Sequence, residues 1–268
     1  MLKNIKNVSG KIGVTGGTGV LGSILCRKLK KNYTVVKFNH DIQNVLKVKE
    51  WVKKNNFDAI FHLASIASVK LCNENPLKAC STNIIGTKNL LESISGLKKK
   101  PWLFYASTSH VYKEKKKPLS ETDDISPKTL YGYTKWMGEK LTANYCPDNN
   151  IPYCAGRIFS FYSNSQSKDY LFPSIKKKLK ESVNKNSIFV INAYCVIDIQ
   201  KAEDVVNIIY KLFKKKAEGI VNIGSGKGIE IKSFVKKFSK KKIMIKTNTR
   251  KKTFSIADIK KLKSIMKK

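Results

Sequence analysis

Short apolar runs alternate with amphipathic stretches along the first 160 residues. Lys11–Thr15 reads as a buried strand, a glycine cluster follows, and a helix runs through Ser23–Lys30. Thr34–Phe38 predicts a second strand, Val45–Asn55 an amphipathic helix and Ala59–Leu63 a third, apolar strand. Pro76–Ser95 predicts one long helix, Trp102–Ala106 a strand, Leu130–Ala143 a helix and Tyr153–Phe159 a strand. Strands and helices in strict alternation specify an α/β fold with a doubly wound parallel sheet. Beyond residue 160 the pattern loosens. Ser163–Tyr170 reads as a loop, Leu171–Ser182 as a lysine-faced helix, Ser187–Ile191 as a strand and Glu203–Phe213 as a helix. Ile220–Ile223 predicts a strand ending in the turn Gly224-Ser225-Gly226, Ile231–Phe238 a helix and Ile243–Lys246 a strand, with a basic tail helical from Ile256. The expected division is a main domain over 1–160 and a small lobe over 161–268, of which a part near 192–213 returns to the main domain.

Composition narrows the class. The chain's 268 residues are enough for one large α/β domain with a small lobe, and 41% hydrophobic residues suit a globular protein. No apolar run reaches the roughly 18 residues of a membrane span. The segment Met1–Gly10 carries Lys3 and Lys6 with no apolar stretch behind them, unlike a secretory signal, so a cytoplasmic location is expected. Six cysteines form no CxxC pair, and His40, His62 and His110 stand apart from paired cysteines; free thiols and no metal site are expected.

The formal charge of +34 is nearly all lysine, the arginines being Arg27, Arg157 and Arg250. Lysine runs lie at Lys98–Lys100, Lys115–Lys117, Lys176–Lys178, Lys214–Lys216 and Lys240–Lys242. Bidentate contacts to bases and phosphates favour arginine, so this balance argues against a nucleic-acid reader. A solvated lysine-rich surface is the first reading; a field that attracts anionic substrates is the second, and nucleic-acid or membrane binding the third.

Chemistry enters at the glycine cluster. Gly16-Gly17-Thr18-Gly19-Val20-Leu21-Gly22 lies between the first strand and the first helix, and Gly17-x-Gly19-x-x-Gly22 fits the dinucleotide-binding pattern. Glycine lets the backbone turn tightly and approach a pyrophosphate, whose charge the helix N-terminus favours; a glycine-rich turn without ligand is the alternative. An acidic residue at the end of the second strand binds the adenosine ribose and selects NAD. Here that end reads Lys37-Phe38-Asn39-His40-Asp41-Ile42. Asn39 stands where the acid is expected, Lys37 and His40 flank it, and Asp41 comes late, toward the adenine. A 2′-phosphate suits this setting, so NADP(H) is favoured over NAD(H).

Tyr131 and Lys135 stand four residues apart, on one helical face. A nearby ammonium favours the phenolate and lowers the pKa of a phenol, which can then exchange a proton with a hydroxyl or carbonyl oxygen. By itself this spacing also fits a half-buried helix tyrosine. About 23 residues earlier, Ser107-Thr108-Ser109-His110-Val111-Tyr112 closes an apolar strand and offers hydroxyls to the same substrate oxygen, though hydroxyls are also ordinary turn chemistry.

Taken together the segments resemble the extended short-chain dehydrogenase/reductase family, in its branch that modifies nucleotide sugars. The likeness rests on the loop Thr15–Ser23, the strand end His62-Leu63-Ala64-Ser65 and the helix Asn83–Glu92. It extends over Ser107–Tyr112, Tyr131–Lys140, the element from Asp198 to Val205 and the turn Asn222–Gly226. It implies a Rossmann-type sheet over 1–160, a substrate-binding lobe after it and a homodimer. Thr108 then takes the place of the catalytic Ser/Thr, Tyr131 is the acid/base, and Lys135 holds the nicotinamide ribose and tunes Tyr131. The implied cofactor contacts are the loop from Gly16 through Thr18, Gly19, Val20 and Leu21 to Gly22, then Lys37, Asn39, Asp41 and Ile42. Leu63, Ala64 and Ser65, with Asn83, Ser107 and Ile158, complete them beside Tyr131 and Lys135. Substrate contacts fall on Thr108, Ser109, His110 and Ser160.

Departures from the family pattern narrow the reaction. The 4,6-dehydratases carry Asp-Glu directly after the Thr, where Ser109-His110 stands here. Fucose-synthase-like epimerase/reductases carry Cys at the His110 position and a second His downstream, which this chain lacks. Ile197 replaces a diphosphate-binding arginine, and Ser160 an asparagine. The expectation is an NADP(H)-dependent reductase of a 4-keto-6-deoxy nucleotide sugar; a nucleotide-sugar 4-epimerase with tightly held NAD is the rival, and a non-catalytic binding scaffold is a third. His110 is a candidate third acid/base, the alternatives being substrate orientation or packing.

Overall fold

β-branched and aromatic residues dominate the runs read as strands; in the computed structural model of the chain those of the first 160 residues and Gly219–Ile223 form one parallel sheet, while Ser187–Phe189 pairs with Met244–Lys246 in a separate two-stranded one. The structure describes residues 10–167, 170–182, 187–239 and 243–267. Residues 1–9, the run Lys240–Lys242 and two positions of the 163–170 loop therefore lie outside the described residues. The elements are β1 (Lys11–Thr15), α1 (Val20–Leu29), β2 (Thr34–Phe38), α2 (Val45–Asn55), β3 (Ala59–His62), α3 (Val69–Glu74), α4 (Pro76–Cys80), α5 (Gly86–Ser95), β4 (Trp102–Thr108), α6 (Leu130–Asp148) and β5 (Tyr153–Ile158). After them come β6 (Ser160–Tyr162), α7 (Leu171–Glu181), β7 (Ser187–Phe189), β8 (Val196–Lys201), α8 (Ala202–Lys214), β9 (Gly219–Ile223), β10 (Gly228–Glu230), α9 (Ile231–Phe238), β11 (Met244–Lys246), β12 (Phe254–Ser255) and α10 (Lys260–Lys267).

The main sheet runs β2-β1-β3-β4-β5-β9, parallel throughout. Its β1–β2 connection leads one way and its β2–β3 connection back to the other side of β1, so a crevice opens beyond the carboxyl ends of β1 and β3. Because both faces are covered, the strands are apolar on both. One core packs Leu25, Leu29, Val205, Ile209 and Leu212 of α1 and α8 on Ile12, Val14, Phe61 and Phe104. The other packs Val48, Trp51, Leu90, Leu91 and Ile94 of α2 and α5 on Phe38, Ile60 and Leu103. The lobe has a core of its own around Phe172, Ile175, Phe234 and Val235. Its sheet is built on β8, which pairs antiparallel with β10 and parallel with β12 and β6.

Several expectations change. The helix expected over 76–95 is interrupted: α4 ends at Cys80, a π-helical turn spans Ser81–Ile85, and α5 begins at Gly86. Thr82, Ile84 and Ile85 are β-branched and hold the helix weakly, which makes this the place for a wide turn. Val69–Glu74 adds a short helix that the sequence reading passed over, capped by the Ser68 hydroxyl on the Leu71 amide. Within and just beyond the 192–213 stretch, β8 lies in the smaller sheet, α8 packs on α1 and β9 extends the main sheet. The tail is not helical from Ile256. Phe254–Ser255 pairs with β8 and Ala257 bridges Leu119, so the helix starts at Lys260.

Candidate active site

The phosphate loop is built by exclusion of side chains. Gly16 has φ +68°, and a β-carbon there would lie 2.6 Å from the Ala64 nitrogen. A β-carbon on Gly22 would lie 2.1 Å from the Gly16 carbonyl oxygen. Gly19 caps α1 with no side-chain hydrogen bond, and the first turn carries no acid, so the amides at the helix start face an anion without competition. Thr18 and Gly19 are exposed there, while Val20 and Leu21 are half-buried and Leu21 packs into the core. A cavity of about 450 Å³ adjoins the loop, lined by Gly16, Thr18, Asn39, Asp41, Ala64 and Ser65, with Ile42 as part of its wall. A dinucleotide fits this chain: the glycine cradle admits a pyrophosphate only where no Cβ intrudes, and the cavity beside it takes the adenosine half. Lys78 and Thr82 also line the cavity; only their helical periodicity could have placed them, and the π turn shifts it.

Not every expected contact is free to meet a ligand in that cavity. The Lys37 side chain crosses to the α1 face, where its Cγ and Cδ lie 3.0 Å from the point a Gly17 β-carbon would occupy. Asp41 turns its carboxylate to Gln43, accepting from the backbone amide at 3.0 Å and from Nε2 at 3.2 Å. Asn83 is fully buried in the π turn; its Oδ1 accepts from the Ile66 amide at 2.8 Å, and its Nδ2 donates to the Ile66 carbonyl and to Thr134 Oγ1. It holds the groove wall to α6 and has no free donor for a ligand. Ser107 is likewise buried, its hydroxyl donating to Glu139 Oε2 at 2.5 Å. Ile158 is buried at the end of β5, and Leu63 and Ser160 are half-buried near the same sheet edge.

A chain of hydrogen bonds ties the loop strand to the reactive helix. Thr15 Oγ1 accepts from the Ala64 amide at 3.2 Å and lies 2.7 Å from His62 Nδ1. Thr87 donates its hydroxyl to the Asn83 carbonyl at 2.7 Å, so it accepts from His62 Nε2 at 3.0 Å, which fixes the Nε2–H tautomer. Burial holds the His62 pKa down to about 3, and the imidazole stays neutral.

Thr108 ends β4, and Tyr131 and Lys135 lie on the first turns of α6, whose start is capped by Thr129 on the Gly132 amide at 3.1 Å. Thr108 accepts from the His110 amide at 3.3 Å and hydrogen-bonds the Tyr131 phenol. Burial pushes that phenol up to about 12, against the smaller pull of the Thr108 hydrogen bond. Lys135 is itself buried, which brings its amine down to about 7 despite the nearby Glu139 carboxylate, and Nζ lies over the Tyr105 ring, 4.3 Å from its centroid. Four-residue spacing put phenol and amine on one face; the rotamer turns the amine to the neighbouring aromatic ring. His110 packs edge-on to Tyr131 with ring centroids 5.4 Å apart. It is open to the groove yet surrounded by enough protein that desolvation lowers its pKa. Ser109 is buried beside it. The arrangement offers one protonated phenol, one hydroxyl and one neutral imidazole to a substrate oxygen.

A dinucleotide-type sheet with hydroxyl, phenol and amine gathered at its carboxyl end defines an NAD(P)-dependent enzyme of the Tyr–Lys type. The profile of the NAD dependent epimerase/dehydratase family matches residues 12–224, and the chain belongs to that family. Among sequence relatives, an uncharacterized UDP-glucose epimerase of Bacillus subtilis, YtcB, is 32% identical over 63% of this chain and 62% of its own length. The GDP-6-deoxy-D-talose 4-dehydrogenase of Aggregatibacter actinomycetemcomitans is 31% identical over 82% of this chain and 76% of its own. Among solved structures, RMD of Pseudomonas aeruginosa, complexed with NADPH, superposes with a TM-score of 0.86 at 19% identity, covering 97% of this chain and 92% of that one. No helix among the described residues is long and apolar enough to cross a membrane.

Proposed function

We propose that the chain is an NADPH-dependent reductase of a 4-keto-6-deoxy nucleotide sugar. The observation that carries this reading is the acid/base inventory: Tyr131 with Thr108 at one end of the groove, and no second free imidazole beside it. The chain has three histidines, of which His62 is buried and doubly bonded and His40 stands at the adenosine end. A single face of proton chemistry suits reduction of one ketone and not a double epimerisation. The relative named as a GDP-6-deoxy-D-talose 4-dehydrogenase acts, by its name, at the same sugar carbon. The preference for NADP(H) is supported by the adenosine cavity, where Asp41, its one carboxylate among the described lining residues, is engaged by Gln43, and Lys78 supplies positive charge.

In this reading the loop amides of Gly16–Gly22 would hold the pyrophosphate of NADPH, which when bound would supply the hydride to the sugar carbon, and Asn83 keeps the wall at Ile66 fixed to α6. Thr108 orients the ketone oxygen toward Tyr131, whose phenol proton passes to that oxygen as its charge develops. His110 closes the groove beside the sugar and orients it. Mixing the protein with NADPH and a 4-keto-6-deoxy nucleotide sugar should bleach the 340 nm absorbance one-for-one with alcohol formed, as measured by NMR of the product. No net NADPH consumption with any member of a 4-keto panel would remove the reading.

A 4-epimerase is the second reading, favoured by the name of the Bacillus subtilis relative. Such an enzyme would purify with NAD held tightly and would interconvert two sugars without consuming cofactor. For assembly we propose a homodimer, because exposed apolar side chains collect on the helices around α6: Leu71, Leu77, Ile85, Tyr133 and Met137. Leu77→Lys should halve the mass seen by light scattering while the far-ultraviolet spectrum stays unchanged.

A further inference from the structure

The helices of the main domain run back toward the amino ends of the strands, so the turns that follow them collect on the face of the sheet opposite the dinucleotide groove. Four of these turns carry lysine runs: Lys30-Lys31 after α1, Lys53-Lys54 at the end of α2, Lys98–Lys100 after α5 and Lys214–Lys216 at the end of α8. Contacts join them into one surface. Lys214 donates to the Tyr33 hydroxyl at 3.1 Å, Lys99 pairs with Asp58 at 2.7 Å, and Trp102 Nε1 donates to the Ala217 carbonyl at 3.0 Å.

Helix carboxyl ends favour cations, and Lys100 serves that purpose by donating to the Ser95 and Leu97 carbonyls. One ammonium per helix end is enough for it, and each turn holds two or three. The side chains of Lys30, Lys31, Lys53, Lys54, Lys98 and Lys215 are exposed and make no hydrogen bond or ion pair among the described residues. Against them stand Asp58, already held by Lys99 and the Lys11 amide, Asp148 at the end of α6, and Glu218. The ammonium groups press on one another. Burial lowers the pKa of Lys216, whose amine lies 4.6 Å from the Phe213 ring centroid, and Lys214 and Lys99 push it the same way. A polyanion relieves such self-repulsion.

The chemistry of the face selects the polyanion. Lysine is a hydrated point charge without the planar fork of arginine, so it answers phosphate charge and not base pattern. No large apolar side chain of these four turns is exposed among the described residues, unlike a surface that inserts into a bilayer. Asn56 and Asn150, exposed in left-handed turns at the same edge, add amide donors of the kind that contact phosphate oxygens. The 6 strands, at about 4.8 Å spacing, make the face about 24 Å wide, the span of about seven phosphates along one strand of a duplex. We propose that the amino-end face of the main sheet binds the phosphodiester backbone of nucleic acid without reading its bases. The bound strand lies on the side of the sheet away from the dinucleotide groove, so both are occupied together, whichever reaction the groove carries out.

Fluorescence anisotropy of the full chain with a labelled duplex of about 20 base pairs tests this, against a Lys30→Gln/Lys31→Gln/Lys98→Gln/Lys215→Gln variant. A second variant, Lys116→Gln/Lys117→Gln/Lys236→Gln/Lys237→Gln, removes the same charge from the segment after β4 and from α9. All of these lysines are exposed, so both variants keep the fold. For the wild type, log Kd should rise with log salt at a slope of about 5. The first variant should lower that slope by about 3 and weaken binding at least about tenfold near 0.1 M salt, while the second stays within about twofold of wild type. Equal losses in the two variants overturn the proposal, since binding then follows total charge and not this face. Displacement of the duplex by saturating NADPH overturns it by placing the nucleic acid in the groove, and a clear preference between duplexes of unrelated sequence overturns it by showing base readout. Failure of the duplex to bind near about 0.1 M salt overturns it as well; if phosphatidylglycerol vesicles bind instead, with the same dependence on the first four lysines, the face belongs to a membrane.

Discussion

Tyr131→Phe should lower the reductive kcat by about three orders of magnitude while leaving dinucleotide affinity within a factor of about two, since general-acid catalysis contributes roughly 10² to 10⁴ in rate. The phenol ring is retained, so its edge contact with His110 survives, and what is lost is the proton and the hydrogen bond from Thr108. Thr108→Val should fall between wild type and Tyr131→Phe. It removes the hydroxyl that holds the phenol in place but not the proton donor itself. Stopped-flow reduction under single-turnover conditions separates this chemical step from product release. A Tyr131→Phe enzyme with wild-type single-turnover rate would take the proton donor out of the mechanism.

The pH dependence follows from burial. With the phenol pushed up to about 12, it remains protonated through the neutral and mildly alkaline range. Reduction, which needs the proton, should therefore show no loss from phenol ionisation below about pH 10. Oxidation of the product alcohol needs the phenolate, and its rate should climb close to tenfold per pH unit over the same range. A plateau of the oxidative rate already near neutrality would mean that Lys135 leaves the Tyr105 ring for the phenol in the working complex, restoring the tuning that the four-residue spacing suggested.

Local signals were the legible ones. The glycine loop, its strand and its helix are contiguous, and the hydrophobic periods of β1 to β5 and of α2 belong to elements whose packing is what their pattern says, whereas α6 buries Thr134, Lys135, Glu139 and Thr142 and exposes Tyr133 and Met137. The Thr108, Tyr131 and Lys135 positions could be read because a strand end and a helix start carry them. Illegible were the features that depend on partners far along the chain. Asn83 looks like a helix residue with a ligand-facing amide; only the fold shows Ile66 and Thr134 claiming all of it. The lobe strands β6, β10 and β12 are two or three residues long, too short for an alternation to register, and β8 was masked by its likeness to a motif.

The largest stability effect is expected at Glu139, one turn beyond Lys135 on α6 and 1% exposed. Its carboxylate accepts from Arg157 Nη2 at 2.7 Å and from Arg157 Nε at 3.2 and 3.1 Å, and from the Ser107 hydroxyl. Arg157 is held further by the Glu121 carbonyl at 3.1 Å and by the Tyr112 ring, whose centroid is 4.7 Å from the guanidinium carbon. The Tyr112 hydroxyl donates to Asn222 at 2.6 Å. This polar cluster fastens β4, just before Thr108, to α6, β5 and β9. Glu139→Ala leaves an uncompensated guanidinium in the interior, for which about 3–5 kcal/mol is the expected loss, and a fall in Tm on the order of 10 °C. Replacing both partners by apolar residues, Glu139→Leu with Arg157→Met, should recover much of that, because two desolvated charges are removed together and the space is filled. The double variant should still be slow, with kcat lowered and KM for the dinucleotide little changed, since Ser107 loses the acceptor that sets its neighbour Thr108 against Tyr131. Denaturant unfolding of the two single variants and the double variant closes the cycle. Additive losses would show that Glu139 and Arg157 act on the fold separately, and full activity in the double variant would show that the cluster supports the sheet without positioning the hydroxyl.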